Sequence, residues 1–187
     1  MEISKENREL LLKLARQAVK AQVTGSAPPT PPEPTGELAK KRGCFVTLTN
    51  RGQLRGCIGT FQANKPIVEQ VIEMAGAAAR DPRFVYDPIT PEEVDDLTIQ
   101  ISVLSELQPI ENPLDFELGV HGIYVVRGAA SGCFLPEVAT ETGWSKEEFL
   151  SQCCAGKAGL SPDAWRDGQT KVYIFTTEKF FDKPEEH

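Results

Sequence analysis

The run Leu54-Arg55-Gly56-Cys57-Ile58-Gly59-Thr60 constrains this chain more than any other. It reads as a strand, yet glycine stands at two of its positions, Gly56 and Gly59. Glycine inside a strand weakens it, so a close backbone approach or a bulge must compensate. On a period of two, Arg55, Cys57 and Gly59 share one face, and Leu54, Gly56, Ile58 and Thr60 the other. A thiol then lies beside a guanidinium where side chains are missing. That suits a reactive cysteine with room for a ligand, and equally a small apolar side chain in a tight core.

The neighbouring segments place this run in a sheet. Gly43 to Asn50 alternates Cys44, Val46 and Leu48 with Phe45, Thr47 and Thr49, and Asn50-Arg51-Gly52 is a turn signal. The two strands read as a hairpin whose loop type the sequence leaves open. Upstream, Ser4 caps a helix to about Val23, with Leu10, Leu11, Leu14, Ala15 and Ala18 as its apolar stripe. Residues 24–36 (TGSAPPTPPEPTG) are Pro-rich and read as an extended surface segment. Downstream, Pro66 opens a helix carrying Val68, Val71, Ile72, Ala75 and Ala79, and Asp81-Pro82 ends it. Arg83 follows, a second guanidinium at a helix end.

Thr90-Pro91-Glu92-Glu93 reads as the start of a short helical turn, and Leu97–Leu104 as a clean strand with Thr98, Gln100 and Ser102 on its polar face. Pro109 and Pro113 break the next segment. Val120–Arg127 is a strand that holds His121, 128–132 a turn, and Cys133–Pro136 a short strand or strand end. Ser145 and Glu148 form a capping box for a helix carrying Phe149, Leu150, Cys153 and Cys154, with Trp144 and Phe149 as its staple. Lys157 lies where that helix closes. Ser161–Trp165 reads as a short capped helix and Lys171–Thr177 as the last strand, with the tail fraying after Phe181. The order α–β–β–α–β–β–α–β is that of an α+β fold, a mostly antiparallel sheet with helices packed on it.

Composition narrows the function classes. A net charge of −7 argues against general nucleic-acid or anionic-membrane binding, and Lys40-Lys41-Arg42 is the one basic run. No stretch approaches the roughly 18 apolar residues of a membrane span. The polar N-terminus lacks a signal-peptide apolar region, so a cytoplasmic location is expected. Five cysteines without a Cys-x-x-Cys argue against a disulfide framework and against a cysteine-only metal site. His187 is set aside as tag-like, which leaves His121 as the internal imidazole.

Several blocks recur in one known family. They are Phe45-Val46-Thr47-Leu48, the Leu54–Thr60 run, Asp81-Pro82-Arg83-Phe84, His121-Gly122-Ile123 and Leu135-Pro136-Glu137-Val138-Ala139, then Trp144, Phe149-Leu150, Lys157-Ala158-Gly159-Leu160 and Trp165. With them the chain resembles the AMMECR family, which in bacteria and archaea appears as AmmeMemoRadiSam system protein A. The resemblance spans nearly the whole chain and departs from it at 24–36 and at the turn 128–132. It implies one domain over residues 1–187 with a larger lobe around the sheet and a smaller one. It implies no established reaction and no cofactor. The system name implies a Memo-type protein and a radical-SAM enzyme as partners. Without Cys-x-x-x-Cys-x-x-Cys this chain is not the radical-SAM component, and with one internal histidine it is not the metal-bearing one.

Two functional readings remain open. In the first, Cys57 is a nucleophile beside Arg55, His121 is its base, and Arg83 and Lys157 hold an anionic group, in a cleft that Gly56 and Gly59 leave room for. The protein is then a thiol-dependent enzyme acting on a small molecule or a partner. In the second, the same groove receives a peptide or ligand without chemistry, as a binding or adaptor module, with Trp144 or Trp165 as anchors if exposed.

Overall fold

The computed structural model describes residues 2–61 and 63–183; His187 lies outside them. The chain divides into two compact units, Met1–Leu104 with Glu178–His187, and Ser105–Thr177. Each is an antiparallel sheet with helices packed on it, so the fold class is α+β.

The first unit opens with α1 (Lys5–Thr24), capped by the Ser4 side chain and closed by Gly25 in the left-handed region. Its stripe of Leu11, Leu14, Ala15 and Ala18 is buried. The Pro-rich segment carries no regular structure before a 3-10 turn at Gly36–Ala39. Then come β1 (Cys44–Asn50), β2 (Gln53–Thr60), α2 (Ile67–Ala78) and β3 (Thr98–Leu104). With β8 (Thr177–Phe181) the sheet order is β2-β1-β3-β8, which leaves β2 and β8 at the edges. Alternation sorts the faces as read from sequence. Val46 and Leu48 of β1 and Ile99 and Ile101 of β3 are fully buried in one core with Val68, Val71 and Ala75 of α2.

The second unit comprises β4 (Gln108–Ile110), β5 (Gly122–Arg127), β6 (Ala130–Phe134), α3 (Pro136–Thr142), α4 (Lys146–Gly156) and β7 (Lys171–Phe175), in sheet order β4-β7-β5-β6. Its core is built on Ile123, Val125, Phe134, Phe149, Leu150 and Trp165. The capping box at the start of α4 is complete: Ser145 accepts from Glu148 N–H, and Glu148 from Ser145 N–H. Ser145→Ala removes one half of it and is expected to cost about 1 kcal/mol, read as a lowered denaturation midpoint with unchanged slope.

Four local expectations change. Residues 91–96 form turns and no helix. Pro109 does not break its segment but sits in β4, an edge strand, where a missing donor is tolerated. Leu135-Pro136 starts helix α3 with proline at a first-turn position, where its fixed φ suits a helix. The strand at Lys171–Phe175 is not the last: β8 (Thr177–Phe181) pairs beside β3, and the Asp182 carboxylate accepts from Ile99 N–H and pairs with Arg16. Arg16 also donates to the carbonyls of Val94 and Leu97, each at 2.6 Å.

Candidate functional site

The hairpin loop is two residues long. Asn50 pairs with Gln53, and Arg51 and Gly52 both have positive φ, at 49° and 75°. This is the type I′ geometry that matches strand twist, here with arginine in the place usually held by asparagine or aspartate. Further along, Leu48 faces Gly56 while Thr49 faces Leu54, so Arg55 is an extra, bulged residue. The bulge breaks the strict period of two and re-aims Arg55. Its guanidinium donates to Glu93 at 2.7 Å and to Asp87 at 2.7 Å, and its side chain is mostly buried. The Glu93 carboxyl is held below its usual range chiefly by that hydrogen bond. Arg55 thus ties β2 to the 87–93 segment.

The two glycines answer a packing demand. A Cβ on Gly56 would lie 2.1 Å from the Ala78 carbonyl oxygen at the end of α2. A Cβ on Gly59 would lie 2.3 Å from the Phe45 ring. The space they leave is filled by a helix end on one face and an aromatic ring on the other.

Cys57 stands opposite Thr47, and the Thr47 hydroxyl donates to its Sγ at 3.2 Å. Thr47 in turn stands opposite Gln100 of β3, whose amide donates to Ser102 Oγ at 3.1 Å. Cys57, Thr47, Gln100 and Ser102 therefore form a polar strip on the sheet face away from α2. Cys57 is half-buried, whereas Cys44, Cys153 and Cys154 are buried and have their thiol pKa values pushed up by desolvation.

The open edge of β2 is plugged at this residue. Asp81, just past α2, is buried. It accepts from Cys57 N–H at 3.0 Å, from Arg83 N–H at 3.0 Å and from the Arg83 guanidinium. Arg83 also donates to the Cys57 carbonyl at 3.3 Å. A carboxylate and a guanidinium thus take the place of a neighbouring strand, meeting both backbone groups of one edge residue. The Arg83 guanidinium beside Asp81 holds that carboxyl down, to about 2, against the opposing effect of burial. The Arg83 side chain stays 58% exposed. Arg55 and Arg83 each lie 5.8 Å from the Phe84 ring centroid, and next to it Val85 is 65% and Tyr86 99% exposed.

The remaining candidates belong to the second unit. His121 immediately precedes β5, and its ring Nδ1 accepts from Glu117 N–H at 3.1 Å while its backbone N–H donates to the Glu117 carbonyl at 2.9 Å. In the neutral ring Nε2 then carries the hydrogen and is a donor. Lys157 is the C-cap of α4, exposed, with Nζ 5.8 Å from the Phe134 centroid. The structure brings Arg55, Gly56, Cys57, Gly59 and Arg83 together in one unit. Trp165 is buried and Trp144 half-buried, both in the second core. Among the described residues no group of three or more His, Cys, Asp or Glu side chains can hold a metal ion, and no helix is long and apolar enough to cross a membrane.

Residues 12–180 match the family described as AMMECR1. The chain belongs to the AMMECR1 family. Relatives include a protein of Methanothermobacter thermautotrophicus, 42% identical over 186 residues and 95% of each chain. Another, from Thermococcus gammatolerans, is 45% identical over 190 residues, covering 95% of this chain and 91% of the relative. The crystal structure of the uncharacterized protein PH0010 from Pyrococcus horikoshii superposes with a TM-score of 0.87 at 40% identity, covering 98% of this chain and 95% of that one.

Asp81 and Thr47 are site residues that the sequence reading passed over. The signal for Asp81 was present: a carboxylate directly before Pro-Arg at a helix end can reach a strand edge as well as stop a helix. Thr47 needed the register, because nothing short of the Thr47–Cys57 pairing puts that hydroxyl on the thiol.

Proposed function

We propose that this AMMECR1-family protein acts through the Cys57 thiol on a small molecule or a partner protein. The observation that carries the reading is the setting of the sulfur: half-open on a polar sheet face, held by the Thr47 hydroxyl, on a residue whose carbonyl takes a hydrogen bond from an exposed guanidinium. Reactive cysteines occupy partly exposed positions within reach of a cation, and Arg83 is the cation at this one. Cys57 is the nucleophile and Arg83 holds an anionic group of the substrate. Arg55, spent on Glu93 and Asp87, positions the strand. In the folded protein iodoacetamide is expected to label Cys57 ahead of Cys44, Cys153 and Cys154, and faster near neutral pH than the same thiol in the unfolded chain. A Cys57 rate no higher than in the unfolded control ends the catalytic reading.

The exposed Val85 and Tyr86 favour a second reading, docking of a partner of the Memo or radical-SAM type at the 83–87 segment. Capture of such a partner that survives Cys57→Ser but is lost in Tyr86→Ala supports docking without thiol chemistry.

A further inference from the structure

We infer that the Ser105–Thr177 unit holds a separate binding site for a small organic anion with an apolar body. A cavity of about 570 Å³ opens beside β4 and β7, and all its lining residues belong to this unit. That volume is in the range of small-molecule sites. Its apolar walls are Pro109, Ile110, Pro113, Val172 and Trp165. The Trp165 indole N–H already donates to Ser151 Oγ at 3.0 Å, so the ring is fixed and offers apolar surface.

The polar groups of the lining are few and point to one sign of charge. Arg166 is held with its guanidinium 4.2 Å from the Trp165 ring centroid. Its ion pair with Asp163 is long, at 3.4 Å, and exposed on both sides, so it gives way readily to a better acceptor. Lys171 is exposed and makes no ion pair among the described residues. Among the lining residues these two cations stand against one carboxylate, Glu111, while Asp163 lies against Arg166 from outside the lining. Thr170 also lines the cavity; it is 6% exposed, and its hydroxyl has no hydrogen-bond partner among the described residues. Apolar walls beside a loosely paired guanidinium and an exposed ammonium suit a carboxylate or phosphate ester carried on a hydrocarbon or ring, over an inorganic ion or a neutral solute.

Phenyl phosphate is the probe, with inorganic phosphate and benzyl alcohol as its two halves. The two tryptophans give two indole N–H resonances, assigned with Trp144→Phe. Titration is expected to move the Trp165 resonance saturably, at a millimolar dissociation constant or tighter, and to leave Trp144 in place. Arg166→Glu and Lys171→Glu, both at exposed side chains, are each expected to weaken binding about tenfold with the indole spectrum of the free protein unchanged. The inference is overturned by the absence of a saturable shift up to about 10 mM, or by affinity that neither charge reversal alters. Inorganic phosphate that binds as well as phenyl phosphate removes the apolar body from the claim, and benzyl alcohol that does so removes the anion. Either result also overturns it.

Discussion

Gly56→Ala is expected to lower the stability of the first unit by at least about 3 kcal/mol or to prevent folding. The added carbon would sit 2.1 Å from the Ala78 carbonyl oxygen, well inside contact distance. That oxygen is backbone at the end of α2, so no rotamer change relieves the clash. The helix end must lift off β2. With it moves Asp81, three residues further on, whose carboxylate meets the Cys57 N–H. Gly76→Ala, in the same helix, is the control. A Cβ there meets nothing within 4 Å, and the backbone is already helical. This change is expected to stabilise by roughly 0.5–1 kcal/mol. Urea denaturation of the three proteins separates the cases: the midpoint falls sharply for Gly56→Ala and rises for Gly76→Ala. If instead Gly56→Ala folds within about 0.5 kcal/mol of the parent, the glycine serves something other than the approach of α2.

The contrast between these two glycines marks where sequence reading stops. That Gly56 compensates a close approach was legible, because glycine in a strand demands one. What approaches was not, since Ala78 comes near only once α2 has crossed the sheet. Periodicity was a good guide wherever one face is buried: α1, α2, β1 and β3 lie where their apolar residues place them. It failed at Arg55, because a bulge leaves no compositional mark, and one inserted residue changes which face a side chain takes. It failed at β4, α3 and β8 as well. These elements are short, and pairing with β7, a proline start and pairing beside β3 stabilise them more than any pattern of their own. The blocks at 54–60 and 81–84 were visible as separate runs. Their union through one carboxylate is a tertiary fact.

Asp81→Asn is the variant that tests that union, and its effect is expected to depend on pH. In the folded protein the Asp81 carboxyl is lowered from its ordinary 3.8 to about 2, first by the Arg83 side chain, with the Cys57 and Arg83 N–H groups adding to it. The unfolded chain therefore takes up the proton at a higher pH than the folded one. Above about pH 4 the carboxylate's full contribution is present, roughly 2 kcal/mol at 1.36 kcal/mol per pKa unit. It is lost progressively as pH falls from about 4 to about 2. The stability gap between the parent and Asp81→Asn is thus expected to be widest near neutral pH and to shrink through that window, because the variant has no proton to gain there. Asp81→Ala costs more, about 3 kcal/mol, because the Cys57 and Arg83 N–H groups lose their acceptor altogether. Arg83→Met is expected to cost at least as much as Asp81→Asn, since it removes the largest of these contributions and leaves the buried carboxylate to its two backbone donors. Urea unfolding of the four proteins across pH 2 to 7 gives the order. A gap between parent and Asp81→Asn that stays constant from neutral to acid pH would mean that the carboxylate's charge contributes nothing, and that the Cys57 edge is held by geometry alone.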